Sequence, residues 1–257
     1  MIAPQDLRKA QLIMLDMLVE FDAICIKYNL KYWLDSGTLL GAVRHEGFIP
    51  WDDDIDISMP VEDYNKFIKI AKLELSKNIF FQTDETDSSF KFDYIKLRSN
   101  KASIVEFHEK DKEVAYHQGV FVDIFPMLTL PNAKFYENFY KDIFKLTRDT
   151  SSISLHTPNG VDHPEARKKL IESLETLHQG WNEEHNLKVI YSGKMPDVAS
   201  WFDLDEVFPL SSIRFEGLAF YAPKNPQHYL RSLYSFNFME LPPKDKRTIH
   251  ASKIEFN

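Results

Sequence analysis

With one cysteine, Cys25, the chain cannot close an intramolecular disulfide. That residue falls on the apolar stripe of the first helical segment, where it reads as a small buried hydrophobe and not as a catalytic thiol. A reducing cytoplasm is the compartment this implies. No run of about eighteen apolar residues is present that would cross a bilayer, and the opening MIAPQDLRKAQ has no apolar core of the leader type, so a soluble chain is expected. Glycine is scarce, 8 in 257 residues, against 20 Phe, 11 Tyr and 4 Trp, which argues against a disordered or repeat-built chain and for a packed core. Excess positive charge is lacking too: 31 Lys and Arg stand against 39 Asp and Glu, a formal charge of -8. This disfavours nucleic acid as a partner, and any phosphate ligand must be met by local donors or by a metal.

What is present is first a helical period. After Leu7, apolar residues at Ala10, Met14, Met17, Leu18, Phe21, Ile24, Cys25 and Tyr28 are spaced for a helix with one buried stripe. Lys31 to Ser36 reads as a short strand, Gly37-Thr38 as a turn opening a helix through Val43, and His45 to Pro50 as a loop. Trp51 to Met59 reads as a second strand, stopped by Pro60. Val61, Tyr64, Phe67, Ile68, Ala71 and Leu75 predict another helix. Strands are expected at Ile79 to Gln82, Phe90 to Arg98 and Val120 to Phe125, the last two separated by the charged segment Glu106 to Gln118. Beyond Pro131 the spacing predicts helices at Phe135 to Thr147 and His163 to Glu184, a hairpin at Ile213 to Tyr221 turning near Glu216-Gly217, a helix at Gln227 to Tyr234 and a polar tail. The order points to an α+β fold: a mixed sheet flanked by helices over residues 1–130, with a mainly helical part over 131–257 packed on it.

The densest chemistry lies in LDSGTLLGAVRHEGFIPWDDDIDISM, Leu34 to Met59, with four aspartates in five positions. On a strand, alternation sets Asp54, Asp56 and Ser58 on one face and Ile55, Ile57 and Met59 on the other. Two carboxylates on one face and a third from a neighbouring strand suit a divalent cation and phosphoryl chemistry. Asp123, a lone acid in the apolar run GVFVDIFP, is the candidate third member, or else half of a buried ion pair or a turn cap. Asp52 and Asp53 read as a solvated loop at the strand entry. Thr38 and the amides after Gly37 offer a helix N-terminus to a phosphate. Arg44, Lys96 and Arg98 are the candidate cations, with a solvated strand face as the alternative for the last two. His45, His108 and His117 lack zinc-ligand spacing, and local hydrogen bonding is expected of them. Trp33, Trp51, Phe92, Tyr94, Trp181 and Trp201 are expected in the core, or in part as walls of a quaternary-ammonium site.

Taken together, YWLDSGTLLGAVRHEGFIPWDDDID, then HQGVFVDIFPM, then RFEGLAFYAPKNPQHYLRSLYSFNFMELPP resembles the LicD family. The resemblance implies a nucleotidyltransferase-like (polymerase-β-like) fold that transfers phosphocholine from CDP-choline to a bacterial cell-surface glycan, lipooligosaccharide or teichoic acid, releasing CMP. The wider family, with the fukutin-related proteins, implies other CDP-activated alditols, ribitol or glycerol phosphate, as alternative donors. It further implies that Asp54 and Asp56 hold Mg²⁺ or Mn²⁺, that Asp123 completes the site and takes the acceptor proton, and that Gly37 and Thr38 sit beside the donor phosphates. Arg44, Lys96 and Arg98 then fall to substrate binding. Asp52 offers a second frame for the acidic pair, because strand register decides which two acids face the metal. A contact with the inner membrane, where lipid-linked acceptors are found, stays open. So do two other readings: an ordinary nucleotidyltransferase releasing pyrophosphate, and a non-catalytic glycan- or nucleotide-binding module.

Overall fold

Elements run from the N-terminus as α1 (Pro4–Tyr28), β1 (Trp33–Leu34), α2 (Ser36–His45), β2 (Asp56–Pro60), α3 (Val61–Glu74), β3 (Ile79–Gln82), β4 (Ile95–Glu106) and β5 (Gly119–Leu130). Past residue 187 come β6 (Lys188–Tyr191), β7 (Trp201–Asp203), the single turn α4 (Leu204–Val207), β8 (Ser211–Phe215), β9 (Leu218–Ala222), α5 (Pro226–Tyr234) and β10 (Ala251–Phe256). The computed structural model describes residues 2–90, 92, 94–130, 188–191, 201–234 and 236–257. The helices expected at Phe135 to Thr147 and His163 to Glu184 lie outside the described residues.

Helix α1 starts where the sequence permits, with Pro4 in its first turn, a position whose N–H has no intrahelical partner in any case. It ends at Asn29, which adopts the left-handed conformation (φ 52°) and lets Leu30 N donate to Cys25 O at 2.8 Å. The buried stripe runs from Leu7 to Cys25, and Phe21 at its centre meets Tyr32 and Phe67 edge-on, each at 5.0 Å. Burying a ring of that size contributes about 2 to 3 kcal/mol, which makes this contact a principal tie between α1 and α3.

The main sheet carries the order β1-β2-β5-β4-β10, with β3 on β4 beside β10, and with β6 on β5 and β7 on β6. The β2–β5 pair is parallel and the others are antiparallel, so the sheet is mixed and the fold is α+β. α1 packs against β4, β5 and β10, while α3 packs against β2 and β5. Ile57, Leu97, Val122 and Ile124, each fully buried, share one face of the sheet by alternation and form the core there. Hairpin β8–β9 turns at Glu216-Gly217, both at positive φ (52° and 79°), the turn whose twist matches that of its strands.

Several boundaries differ from those the sequence suggests. β2 starts only at Asp56, because the backbone of residues 49–52 is engaged by a side chain of α1: Gln11 Nε2 donates to Asp52 O at 2.8 Å and to Ile49 O at 3.4 Å. β4 begins five residues later than Phe90 and runs through to Glu106, since Ala102 and Ile104 find their partners in β10. β5 continues past Pro126, which pairs with Met59 on a parallel strand. The polar tail is in part a strand: Ala251–Phe256 alternates Lys253 and Glu255 outward and joins the edge of β4. Strands from beyond residue 130 therefore lie in the same sheet as those before it.

Candidate active site

Register brings the charged residues together. Asp56 of β2 pairs with Asp123 of β5, Asp123 pairs with Lys96 of β4, and Lys96 pairs with Gln82 of β3. Residues directly opposite one another across a ladder point to the same face, so Lys96, Asp123 and Asp56 form a row across three adjacent strands. Lys96 Nζ lies 3.0 Å from Asp123 Oδ2, which accepts its hydrogen bond, and 2.9 Å from Oδ1. The second approach lacks hydrogen-bond geometry, and Oδ1 has no other hydrogen-bond partner although it is buried. Of the readings of Asp123, the structure shows the buried ion pair, and among the described residues its Oδ1 accepts no hydrogen bond.

The aspartate loop is held by its neighbours at each step. Asp56 N donates to Thr38 Oγ1 at 2.9 Å and Asp35 N donates to Asp56 O at 3.0 Å, fixing β2 to the start of α2. Asp123 N donates to Ile55 O at 2.8 Å. Asp53 turns away from the other acids and is 2% exposed: its Oδ2 accepts from Ala251 N at 2.5 Å, and its Oδ1 accepts from His250 N at 3.1 Å with His250 Nδ1 at 3.2 Å. Asp53 is therefore a buried tether to β10 and not a solvated loop residue. Asp54 reaches the site from the loop, not by strand alternation.

Asp52, Asp54, Asp56 and Asp123 line one cleft of about 310 Å³, together with Ser36 and Gly37 at the start of α2, Tyr94, Phe125, Tyr234 and His250. A Cβ at Gly37 would stand 2.9 Å from Asp52 Oδ2, so a larger residue there would displace the Asp52 carboxylate. Burial, then the neighbouring Asp56 and Asp53, push the Asp52 carboxyl up to about 7 against the opposing pull of His250 and Arg44. Burial and the same cluster hold Asp54 well above the usual carboxylate range. Asp123 is raised to about 6 by burial, with Lys96 opposing and Asp56 adding. His250 is raised, first by its bond to Asp53. A cleft of hard oxygen donors that push one another toward protonation, with a buried Asp123 oxygen free of hydrogen bonds, has the donor chemistry a hard divalent cation takes, while no three of its carboxylates stand within 4.8 Å of one another.

The remaining candidates sit in different places. Thr38 is buried, with its oxygen engaged by Asp56 N. Arg44 sits by Asp52 and spans to the C-terminal segment, donating to Phe238 O at 3.0 Å and Glu240 O at 3.2 Å. Arg98 is 1% exposed and donates to Gln82 Oε1 and Gly119 O, both at 2.8 Å, so it is fixed inside the fold and does not line the cleft. Neither Lys96 nor Arg98 is on a solvated face. His250 and Tyr234 are the lining residues that sequence spacing does not suggest; both lie far down the chain, and only the third block of the family resemblance includes Tyr234. Among the described residues, Glu106, His108 and Glu109 are the three that bring possible ligand atoms within 4.8 Å of one another, closer than any three of the cleft aspartates stand. Glu109, however, already accepts from Tyr116 Oη, Gln118 Nε2 and Glu106 N, which makes it a brace for this loop.

The raised acids set a pH response. A carboxyl whose folded-state pKa exceeds its unfolded value contributes stability below about pH 4 that is lost as pH rises through the folded value, here through about 6 for Asp123 and about 7 for Asp52. His250, also raised, acts in the same direction, whereas His45 and His117, lowered by burial, oppose it. Mg²⁺ is accordingly expected to raise the melting temperature by roughly 3 °C or more at pH 8 and by much less at pH 5. Thermal melts in EDTA and in Mg²⁺ at both pH values check this; an equal response at the two would contradict it.

Residues 29–159 match the family described as LicD/FKTN/FKRP, nucleotidyltransferase domain. The lipopolysaccharide cholinephosphotransferase LicD of Haemophilus influenzae is 44% identical over 79 residues, 31% of this chain and 30% of that protein. An uncharacterized protein of Rickettsia typhi is 35% identical over 133 residues, 51% of this chain and 37% of that one. Human ribitol 5-phosphate transferase FKRP is 53% identical over 35 residues, 14% of this chain and 7% of that protein. The chain thus aligns with well under half the length of these relatives.

Proposed function

The chain belongs to the LicD/FKTN/FKRP family of nucleotidyltransferase domains, and from that premise we propose that it transfers phosphocholine from CDP-choline to a sugar hydroxyl of a cell-surface glycan, releasing CMP. The observation that carries the reading is the row Asp56, Asp123 and Lys96 across three strands, with Asp54 brought into the same cleft. Asp54, Asp56 and Asp123 are the residues to hold Mg²⁺ or Mn²⁺, whose charge, when it is bound, neutralises the donor diphosphate. The start of α2, with Ser36 and Gly37 in the cleft wall, is placed to receive phosphate oxygens. The acceptor oxygen attacks the phosphorus that bears choline, the bond from that phosphorus to CMP breaks, and the hydroxyl proton passes to Asp123 Oδ1. Lys96 keeps Asp123 in position and balances its charge. His250, oriented through Nδ1 by Asp53, presents its other ring nitrogen as a donor for the departing phosphate.

A donor of ribitol phosphate, such as CDP-ribitol, is the alternative that the segment shared with a ribitol 5-phosphate transferase supports, and CDP-glycerol is a further candidate of the same chemical class. Among the described residues no helix is long and apolar enough to cross a membrane. On the proposed reading, a lipid-linked acceptor would be met at a membrane surface. The test is an assay of the purified protein with Mg²⁺, a glycan acceptor and each CDP-linked donor in turn. CMP release with CDP-choline as the preferred donor is the expected result. Pyrophosphate release from CTP, or donor binding without turnover, would overturn the reading.

A further inference from the structure

Beside the carboxylate cleft, and sharing Tyr94 with it, lies a second cavity of about 180 Å³ to which the transfer chemistry assigns nothing. Tyr64 of α3, Phe81 of β3, and Phe92 and Tyr94 just ahead of β4 contribute its rings, and Asp84 and Glu85 are exposed on its margin. The rings are set by one another: Phe92 lies 5.5 Å from Tyr94, Tyr94 lies 4.7 Å from Phe125, and Phe81 meets Phe67 edge-on at 6.2 Å. Among the described residues of the lining Lys72 is the one cation, beside the carboxylates of Asp84 and Glu85.

Aromatic faces attract a cation through the ring quadrupole, and they do so best when the cation is weakly hydrated and needs no hydrogen bond. A quaternary ammonium has those properties, and carboxylates at the margin add attraction without direct contact. A neutral polyol needs a hydrogen-bond partner for each hydroxyl, which Phe81, Phe92 and the tyrosine ring faces do not supply, so it would be left to the polar groups of Thr83, Lys72, the tyrosine hydroxyls and the marginal carboxylates. The wall shared at Tyr94 sets this cavity next to the place where the donor phosphates are read. Resting on the transferase reading above, we infer that this cavity is the donor's headgroup pocket and that it selects a trimethylammonium group over a neutral polyol.

The test pairs a binding measurement with a kinetic one, on the whole protein, the half-buried Phe92→Leu variant and the exposed Glu85→Gln variant, with circular dichroism to confirm that each folds. Calorimetric titration with tetramethylammonium is expected to show binding to the wild type that weakens about three- to tenfold in Phe92→Leu and about twofold in Glu85→Gln. The KM for CDP-choline should rise by the same factors, with the KM for CDP-glycerol unmoved. Should no CDP-linked donor be turned over, the transferase reading falls and the titration alone decides the pocket. Binding weakened in either variant sustains it. Binding absent from the wild type, or unchanged in both variants, overturns it, as does an equal loss toward CDP-choline and CDP-glycerol.

Discussion

Asp56→Asn is expected to lower CMP release by roughly a thousandfold while raising, not lowering, the melting temperature in EDTA. The two outcomes have separate causes. Every contact that fixes Asp56 in the fold passes through its backbone: its N–H donates to Thr38 and its carbonyl accepts from Asp35. Asparagine keeps both and has nearly the same shape. What it removes is a carboxylate that raises the proton affinity of Asp52, Asp54 and Asp123 by repulsion, so the cation-free fold loses a source of strain. On the proposed reading, stability is given up for the charge density that a metal and a diphosphate require. Steady-state CMP release and thermal melts on the same preparation check both halves. Turnover near the wild-type rate would remove Asp56 from the metal site.

Lys96→Met is expected to be among the most destabilising substitutions in the sheet, at about 3 to 5 kcal/mol by chemical denaturation at pH 8. Lys96 is 3% exposed and Asp123 6% exposed, so methionine fills the space but leaves the carboxylate buried without its counter-ion. The cost should fall at pH 5, where Asp123 takes a proton more readily. Adding Asp123→Asn should recover a large part of it, because the pair is then neutral on both sides. A single-variant cost below about 1 kcal/mol, or strictly additive effects in the double variant, would show that the pair is not the source. Lys96 Nζ also sits 3.3 Å from the centroid of the Phe121 ring, so the methionine keeps an apolar neighbour.

Legibility in the sequence followed the range of the interactions. Helix α1 and strand β3 were predictable because each is specified by its own period and stop signals, and the hairpin was predictable from Glu216-Gly217, where backbone geometry is local. Asp123 could be singled out because an acid within an apolar run is costly unless something pairs with it, and Asp54 and Asp56 because alternation on a strand sets them on one face of a dense carboxylate run. Alternation holds only from Asp56 onward, and Asp54 enters the cleft from a loop that Gln11 of α1 engages. Lys96 and Arg98 looked equivalent, two residues apart on one strand face. Only the cross-strand register, which pairs one with Asp123 and the other with Phe121, separates an ammonium at the cleft acids from a guanidinium locked on Gln82 and Gly119. His250 carried no local signal, since the acid that orients it is 197 residues away.

That separation also dictates an order of assembly. The aspartate loop is made early by the ribosome, yet Asp53 acquires its partners only when His250 and Ala251 arrive, 197 and 198 residues later. Until then a carboxylate that ends buried has no donors, and β4 has an unpaired edge along residues 102–106. Closing so long a loop is entropically slow, so the cleft is among the last parts of the domain to mature. A nascent chain halted before β10 thus carries all four cleft aspartates without the tether that Asp53 makes to His250 and Ala251.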